Sequence, residues 1–428
     1  MGITDQLVKF RTAEVPEMAA AMMRLSLFDW VVCGIAGADV ADFAGFRRAQ
    51  MIEEGPAHVF GGDATGVAMA ALLNGTLSHA CDLDDRHFAH AGRPSVVIWP
   101  AVMALAQTLD MSLDKAIDAA AIGAEASIVI GLWLGDAHRD AGFDATATAG
   151  AFGATLAAAR LLGLDPKKSR HALGICAGTA AGLTAQAGTM GQALNAGRAA
   201  RSGVEAALWA QTGITSVSDG LQSFGDSHFS EAAEVKPPRK EWQIDSLCHQ
   251  FHGCNHGLHG VIEALRAVDL PPEKIDVVKI RAHPHWVAIC NKDKPKNGKD
   301  VTLSFGHVAA MVLLGYETEG RDRFSDEIAR NKEIVALRGK VELVADAGLS
   351  QAQTQITLML TSGEVRRLRH DLESPITLEA RSAKLRGKAT ALLGPTQADA
   401  LWTAVIGNDL DPISGLFQRA TVAGSESG

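Results

Sequence analysis

The sequence predicts a mainly α protein: a large all-helical domain plus a smaller α+β domain. Three observations carry this. Up to about residue 268, Ala- and Gly-rich segments of helical period follow one another, each closed by Gly, Pro or a short polar turn. At Pro271-Pro272 the character changes to β-branched, alternating segments. From Leu378 onward the pattern is helical again. The expected domains are therefore residues 1–268, rejoined by C-terminal helices over 392–428, and residues 269–391.

The elements follow in order. VPEMAAAMMRLSLFDWVVCGIAG has apolar residues at helical spacing and ends at Gly34 and Gly37, which predicts a buried helix over 15–37. A short helix over 38–55 and a strand-like turn, PAHVFGGDATG, come next. Seven small-residue helices are then expected, from VAMAALLNGTLSHA to HGLHGVIEALRAV. Small residues at i, i+4 let such helices approach closely. No period of a repeat array is evident. In the second domain IDVVKIRAHPHW, GKVELVAD and QAQTQITLMLTSGEVRRLRHDLE read as strands, with TSGE as a hairpin turn. LSFGHVAAMVLLG and the charged DEIARNKEIVALRG read as helices between them. LEARSAKLRGKATALLG, PTQADALWTAVIG and PISGLFQRA are helical again, and the tail TVAGSESG reads as disordered.

Composition excludes several functions. A net charge of −9 and 5% aromatic residues, with no basic stripe, argue against a nucleic-acid surface. No uninterrupted apolar run reaches membrane-spanning length, and no signal peptide is read, so a membrane role is not expected. The six scattered cysteines suggest free thiols in a reducing cytoplasm. A single tyrosine, Tyr316, must carry any phenol chemistry. Phosphate-cradling and nucleophile-elbow motifs are not found in a strand–turn–helix setting.

Chemistry concentrates in four stretches. Leu73–Pro100 gathers Asp82, Asp84, Asp85, His79, His87, His90, Arg86 and Arg93. It reads as a magnesium-holding aspartate motif, a solvated loop, or an anion-binding acid/base site with arginine forks. The last reading is favoured, since no second acidic motif or phosphate cradle supports the metal. CHQFHGCNHGLH places His252, His256 and His259 at i, i+4, i+7, one face of a helix. Zinc is conceivable there, but the spacing fits no common site, and buried or site-lining histidines are preferred. Before the helix TATAGAFG, Asp144 marks either an anion-accepting N-terminus or a plain cap. GTMGQALNAGRAAR offers close backbone approach at its glycines and Asn195, with Arg198 and Arg201 nearby; alone it reads as a turn and an ordinary helix.

Taken together these stretches resemble the MmgE/PrpD family. The resemblance rests on LLNGTLSHACDLDDRH, RPSVVIWPAVMALAQ, GFDATATAGAFGATLAAARLLGLD, ALGICAGTAAGL and GTMGQALNAGRAARSGVEAALWAQTGITS, with a His-rich stretch and VTLSFGHVAAMVLLG following. Their order runs over almost the whole chain. The resemblance implies a helical domain with a smaller α+β lid domain, a site in the cleft between them, a homodimer, and no metal or organic cofactor. It implies chemistry that begins with proton loss α to a carboxylate, followed by loss of water, loss of CO2, or return of the proton to the other face.

The family's site residues are only partly kept. Asp82 matches the family aspartate. Arg86 replaces a threonine, Arg93 a histidine, and Asp144 the histidine of Gly-Trp-His-Pro-Thr. Gln192 replaces the lysine after Gly-Thr-Met, His249 a lysine, and His307 the tyrosine of the smaller domain. By this resemblance the catalytic candidates are Asp82, His90, Asp144, His249 and His307. The substrate-binding candidates are Arg86, His87, Arg93, Gln192 and Asn195, and no metal ligand is assigned. Arginine stays charged and is a poor proton donor, so acid/base work falls to the carboxylates and histidines. The exchanged residues point to a substrate other than citrate-like acids.

Three functions remain open at this level. The first is a cofactor-independent, dehydratase-type lyase acting on a small di- or tricarboxylate. The second is an epimerase of an amino or imino dicarboxylate, with His90 and His307 as the opposed pair. The third is a carboxylate-binding protein without catalysis.

Overall fold

The computed structural model describes residues 2–228 and 242–419. The expected disordered tail lies outside the described residues. The fold is mainly helical, with a helical N-terminal domain and a small mixed sheet in the C-terminal region. Two compact units form, Met1–His249 with Leu393–Gly428, and Gln250–Leu392.

In the first unit six helices build the core: α1 (Glu17–Ala38), α2 (Val67–His79), α3 (Ser95–Thr108), α4 (Leu113–Asp140), α5 (Ala145–Leu161) and α6 (Met190–Thr212). Helix α3 is apolar all round and is buried from Ser95 to Ala106, as expected of a central helix. It packs on α2, α4, α5 and α6. Contact is made through main chain where glycines cross. A Cβ on Gly75 of α2 would stand 2.8 Å from the Gly197 Cα of α6, and one on Gly153 of α5 would stand 2.5 Å from the Gly123 carbonyl oxygen of α4. Helices α1 and α4 are long and apolar enough to cross a bilayer by length and composition. In this fold 78% and 89% of those apolar windows are buried as core. None of the six cysteines is disulfide-bonded, and all are buried.

The second unit holds a four-stranded sheet of order β2-β1-β3-β4: β1 (Ile275–Ala282), β2 (Val341–Ala345), β3 (Gln353–Leu360) and β4 (Val365–Asp371). Strand β1 pairs parallel with β2 and antiparallel with β3, and β3–β4 is the expected hairpin, its turn made by Gly363 at φ 87°. Alternate residues of β3 (Thr354, Ile356, Leu358, Leu360) face the core. Three further helices matter here: α7 (His259–Arg266), α8 (Phe305–Leu313) and α9 (Lys332–Arg338).

Three local expectations differ from the structure. The second unit begins at Gln250 rather than at the Pro271-Pro272 break, because α7 packs on β3, β4 and α8. Gly260 permits this, since a Cβ there would lie 2.5 Å from Thr354 Oγ1. The change in sequence character marks the first strand, not the first residue of the unit. Second, DEIARNKEIVALRG is two helices. Asn331 leaves helical geometry at ψ 123°, and its side chain accepts from Glu333 N–H and Ile334 N–H, capping α9. Third, His252, His256 and His259 do not share a helix face. Residues 256–258 form a single 3-10 turn, and α7 starts only at His259. Their rings still gather, His259 lying 4.8 Å from His252 and 4.7 Å from His256.

Candidate active site

Helix α2 ends at His79, and the chain needs fifteen residues of tight turns before α3 begins at Ser95. Asp82 N–H donates to the His79 carbonyl at 3.1 Å. Its own backbone is left-handed, φ 53°, one of four such non-glycine residues among the described ones. A carboxylate held in that region is uncommon and often marks function. Further on, His87 N–H donates to Gly92 O at 3.0 Å, and Arg86 exchanges two 2.8 Å main-chain hydrogen bonds with Cys248. The loop is thus fixed at both ends and in the middle.

Its side chains form a buried ionic network. Asp84 is 1% exposed and accepts from His79 Nδ1 at 2.7 Å and from Arg93 Nη1 at 3.2 Å. The same nitrogen donates to the Asp84 carbonyl at 3.1 Å, while Arg93 Nη2 holds Asp82 at 2.6 Å. Burial opposes the charge on Asp84, but Arg93 and His79 outweigh it and hold the carboxyl well below its usual range. Burial likewise opposes a charged His79, and Asp84 overcomes it, so the His79 pKa is raised. Asp82 is the accessible member, its side chain 45% exposed. Gln192 Nε2 stands 3.3 Å from His79 Nε2 and 3.4 Å from Asp82 Oδ1, and Gln192 Oε1 accepts from Gly188 N–H at 2.7 Å.

Arg86 is the hub. It is half-buried. Desolvation and the neighbouring Arg93 lower its pKa to about 10, against the pull of Asp82, Asp84 and Asp144. Asp144 caps α5 through Thr146 N–H at 3.0 Å and accepts from Asn195 Nδ2 at 3.3 Å. The cap reading is therefore the one that describes the α5 N-terminus.

His87 and His90 lie beside this hub with ring centres 5.3 Å apart. Cβ atoms built on Gly92 and Gly131 would both strike the His90 ring, so these two glycines form its walls. Both His90 ring nitrogens and His87 Nε2 are buried without a hydrogen-bond partner among the described residues. Burial lowers His87 to about 4 and His90 well below its usual value. Desolvation favours the neutral imidazole at both positions, the form that accepts a proton or a hydrogen bond. His249 is buried directly after Cys248. His307 belongs to the second unit, on α8. There its Nε2 donates to Ile328 O at 3.0 Å, and Arg338 faces its Nδ1 at 3.5 Å.

The structure thus gathers Asp82, Arg86, His87, His90, Arg93, Asp144, Gln192 and Asn195. His79 and Asp84 complete the network; the sequence places both in the charge cluster but assigns neither a role. Their five-residue separation spans the end of α2, and only knowing where that helix stops shows that they meet. His79, Asp82 and Asp84 bring possible ligand atoms within 4.8 Å of one another, but the Arg93 guanidinium already joins the two carboxylates. A metal ion would have to displace it.

Fold and site define a class: a mainly helical protein with a guanidinium–carboxylate–imidazole network at the turn between two core helices. The chain belongs to the MmgE/PrpD family. The model of the MmgE/PrpD N-terminal domain matches residues 2–232, and that of the MmgE/PrpD C-terminal domain matches residues 252–407. Among curated proteins, a cis-aconitate decarboxylase of Aspergillus terreus is 29% identical over 291 residues, covering 62% of this chain and 59% of that protein. The cis-aconitate decarboxylase of Homo sapiens is 28% identical over 267 residues, covering 57% and 55%. That of Mus musculus is 25% identical over 366 residues, covering 78% and 74%. The match to the first two therefore spans less than two thirds of their length.

Proposed function

We propose that this chain is a cofactor-independent lyase of small di- or tricarboxylates. The observation that carries the reading is the half-exposed Asp82, held by Arg93 beside the Asp84–His79 pair. Family membership supports carboxylate substrates, and the relatives named as cis-aconitate decarboxylases support lyase chemistry.

In this reading Arg86 receives a substrate carboxylate. An incoming anion offsets the repulsion from Arg93 and the cost of burial that lower its pKa. The orphaned nitrogens of His87 and His90 gain partners from the substrate's polar groups, as buried polar atoms require. Asp82 takes the proton α to a carboxylate, and the guanidinium stabilises the enediolate charge. His79, its pKa raised by Asp84, gives a proton to the departing hydroxyl, which leaves as water. The proton on Asp82 returns to solvent and His79 is reprotonated, so the cycle closes without a redox partner.

The test is incubation in D2O with a panel of hydroxy di- and tricarboxylates and their alkenes, followed by NMR. Deuterium at the α-carbon together with a vinyl signal is the expected outcome, and CO2 release is the second product to assay. Exchange with inversion and no new product would replace the lyase by an epimerase. Binding without exchange would leave a carboxylate-binding protein.

A further inference from the structure

A second polar cluster lies behind the ionic network, and the proposed chemistry does not use it. Asp85 is 1% exposed. Its Oδ2 accepts from Ser26 Oγ of α1 at 2.8 Å and from Ser95 Oγ, at the first residue of α3. Its Oδ1 accepts from Ser95 N–H at 3.2 Å, which caps α3. The two serine hydroxyls also touch each other. Three oxygens in mutual contact need three hydrogens, one for each contact. The two hydroxyls supply two. A carboxyl proton supplies the third once the hydrogens run one way round, from Asp85 Oδ2 to Ser95, from Ser95 to Ser26 and from Ser26 back to Asp85.

We propose that Asp85 is a positioning residue held as a neutral carboxylic acid, its proton closing a Ser26–Asp85–Ser95 ring that fixes the Asp82–Arg93 loop to α1 and α3. Two charges of the same loop act on this group in opposite senses: Asp84 disfavours a charge on Asp85, and the Arg93 guanidinium, already shared by Asp82 and Asp84, favours one. Asp29, three residues after Ser26 on α1, is buried too, and α3 carries no titratable residue. Ionised, Asp85 would add a buried negative charge beside Asp84, whose arginine is already shared with Asp82. Desolvation raises the carboxyl to about 6, against the serine hydrogen bonds. The ring is closed below that pH. Above it one contact loses its hydrogen, and the anchor of the loop is weakened.

The effect on turnover rests on the lyase reading; the state of the ring does not. The first measurement is a carboxyl 13C NMR titration of the full chain labelled at aspartate. One aspartate carboxyl titrating near pH 6, and missing in Asp85→Asn, is expected. The second is thermal melting against pH. Asp85 by itself contributes a loss of Tm as pH rises from 4 to 7, on top of the opposite contribution of the buried histidines. Asp85→Asn, neutral throughout and still able to donate to Ser95 Oγ, lacks that contribution, so the wild-type Tm falls relative to the variant's over this range. The third is the pH profile of kcat/KM on whichever hydroxy acid exchanges. A group near 6 is lost in Asp85→Asn, while kcat at low pH stays within about threefold.

An aspartate spectrum without any raised midpoint, or an Asp85→Asn slope equal to that of the wild type, overturns the proposal. Should Asp85→Asn not fold, Ser26→Ala replaces it, and an unmoved midpoint then overturns the ring. A raised Asp85 signal in a protein that exchanges no carboxylate supports the ring and sinks the lyase reading instead.

Discussion

Arg93 and Asp82 meet at 2.6 Å across a turn whose backbone at Asp82 is left-handed, and the other arm of the same guanidinium holds the buried Asp84 at 3.2 Å. One cation therefore serves an accessible carboxylate and an inaccessible one. Truncating it as Arg93→Ala leaves Asp84 charged, buried and dependent on His79 alone. The expected cost is about 3–5 kcal/mol in a urea melt, the range for breaking a buried pair by removing one partner. Arg93→Lys keeps the charge but cannot fork, and should fall between wild type and alanine.

Asp82→Asn tests the base directly. The amide keeps size and tolerates the left-handed backbone, since Asn is among the residues that visit it. Melting should be little changed, while deuterium exchange at the α-carbon should fall by at least about 100-fold, the scale of a lost general base. Retained exchange would move the base to another group.

Two glutamates should give opposite pH slopes. Glu125 of α4 is buried and accepts from Gln243 N–H at 3.1 Å and Ile244 N–H at 3.0 Å. Desolvation raises it from 4.5 to about 7 against those bonds. Between these values the folded form keeps a proton that the unfolded chain has lost, so stability falls as pH rises. Glu125→Gln should remove that part of the slope. Glu263 of α7 is instead held below its usual range. Burial opposes this, but His252 and Lys384 prevail. Its contribution is complete above the usual glutamate range and is lost as pH falls through the lowered value. Glu263→Gln should flatten the acid limb of the curve. Urea melts from pH 3 to 8 read both.

Gly131→Ala tests the packing of His90. The new methyl would sit 2.6 Å from His90 Cδ2. Alanine favours a helix over glycine by about 1 kcal/mol, but overpacking costs about 1–3 kcal/mol. A net loss of stability is expected. It should come with a shift in the His90 ring signals by NMR, which a propensity change alone would not produce.

The helices and strands were legible because small-residue periodicity and β-branched alternation are local signals. What failed depended on longer-range contacts. Nothing near His259 announces that α7 covers β3 and β4, and the local change of character marks only the first strand. Asn331 fits a continuous charged helix by composition, and only its side-chain bonds to Glu333 N–H and Ile334 N–H make it the cap of α9. At the site, Asp82, Arg86 and Arg93 stood out as a charge cluster. His79, Asp84 and Asp85 were in plain view but unassigned. Their roles depend on which way a fifteen-residue turn points each carboxylate, and Ser26, far off in sequence, gave no hint of reaching Asp85. For the histidines, residue type alone suggests titration near neutral pH, whereas the burial that lowers His87 and His90 depends on the fold around them.

The glycine crossings of α2 with α6 and of α4 with α5 have a consequence for divergence. Where peptide planes touch, there is no side chain to enlarge or trim, so those walls cannot be resculpted by ordinary core substitution. The frame behaves as a mould of fixed shape. Change of specificity is then channelled into the turn between α2 and α3 and the few side chains that meet it. There an exchange alters charge, and burial sets what it costs: the accessible Asp82 tolerates replacement, whereas the buried Arg93 and Asp84 do not.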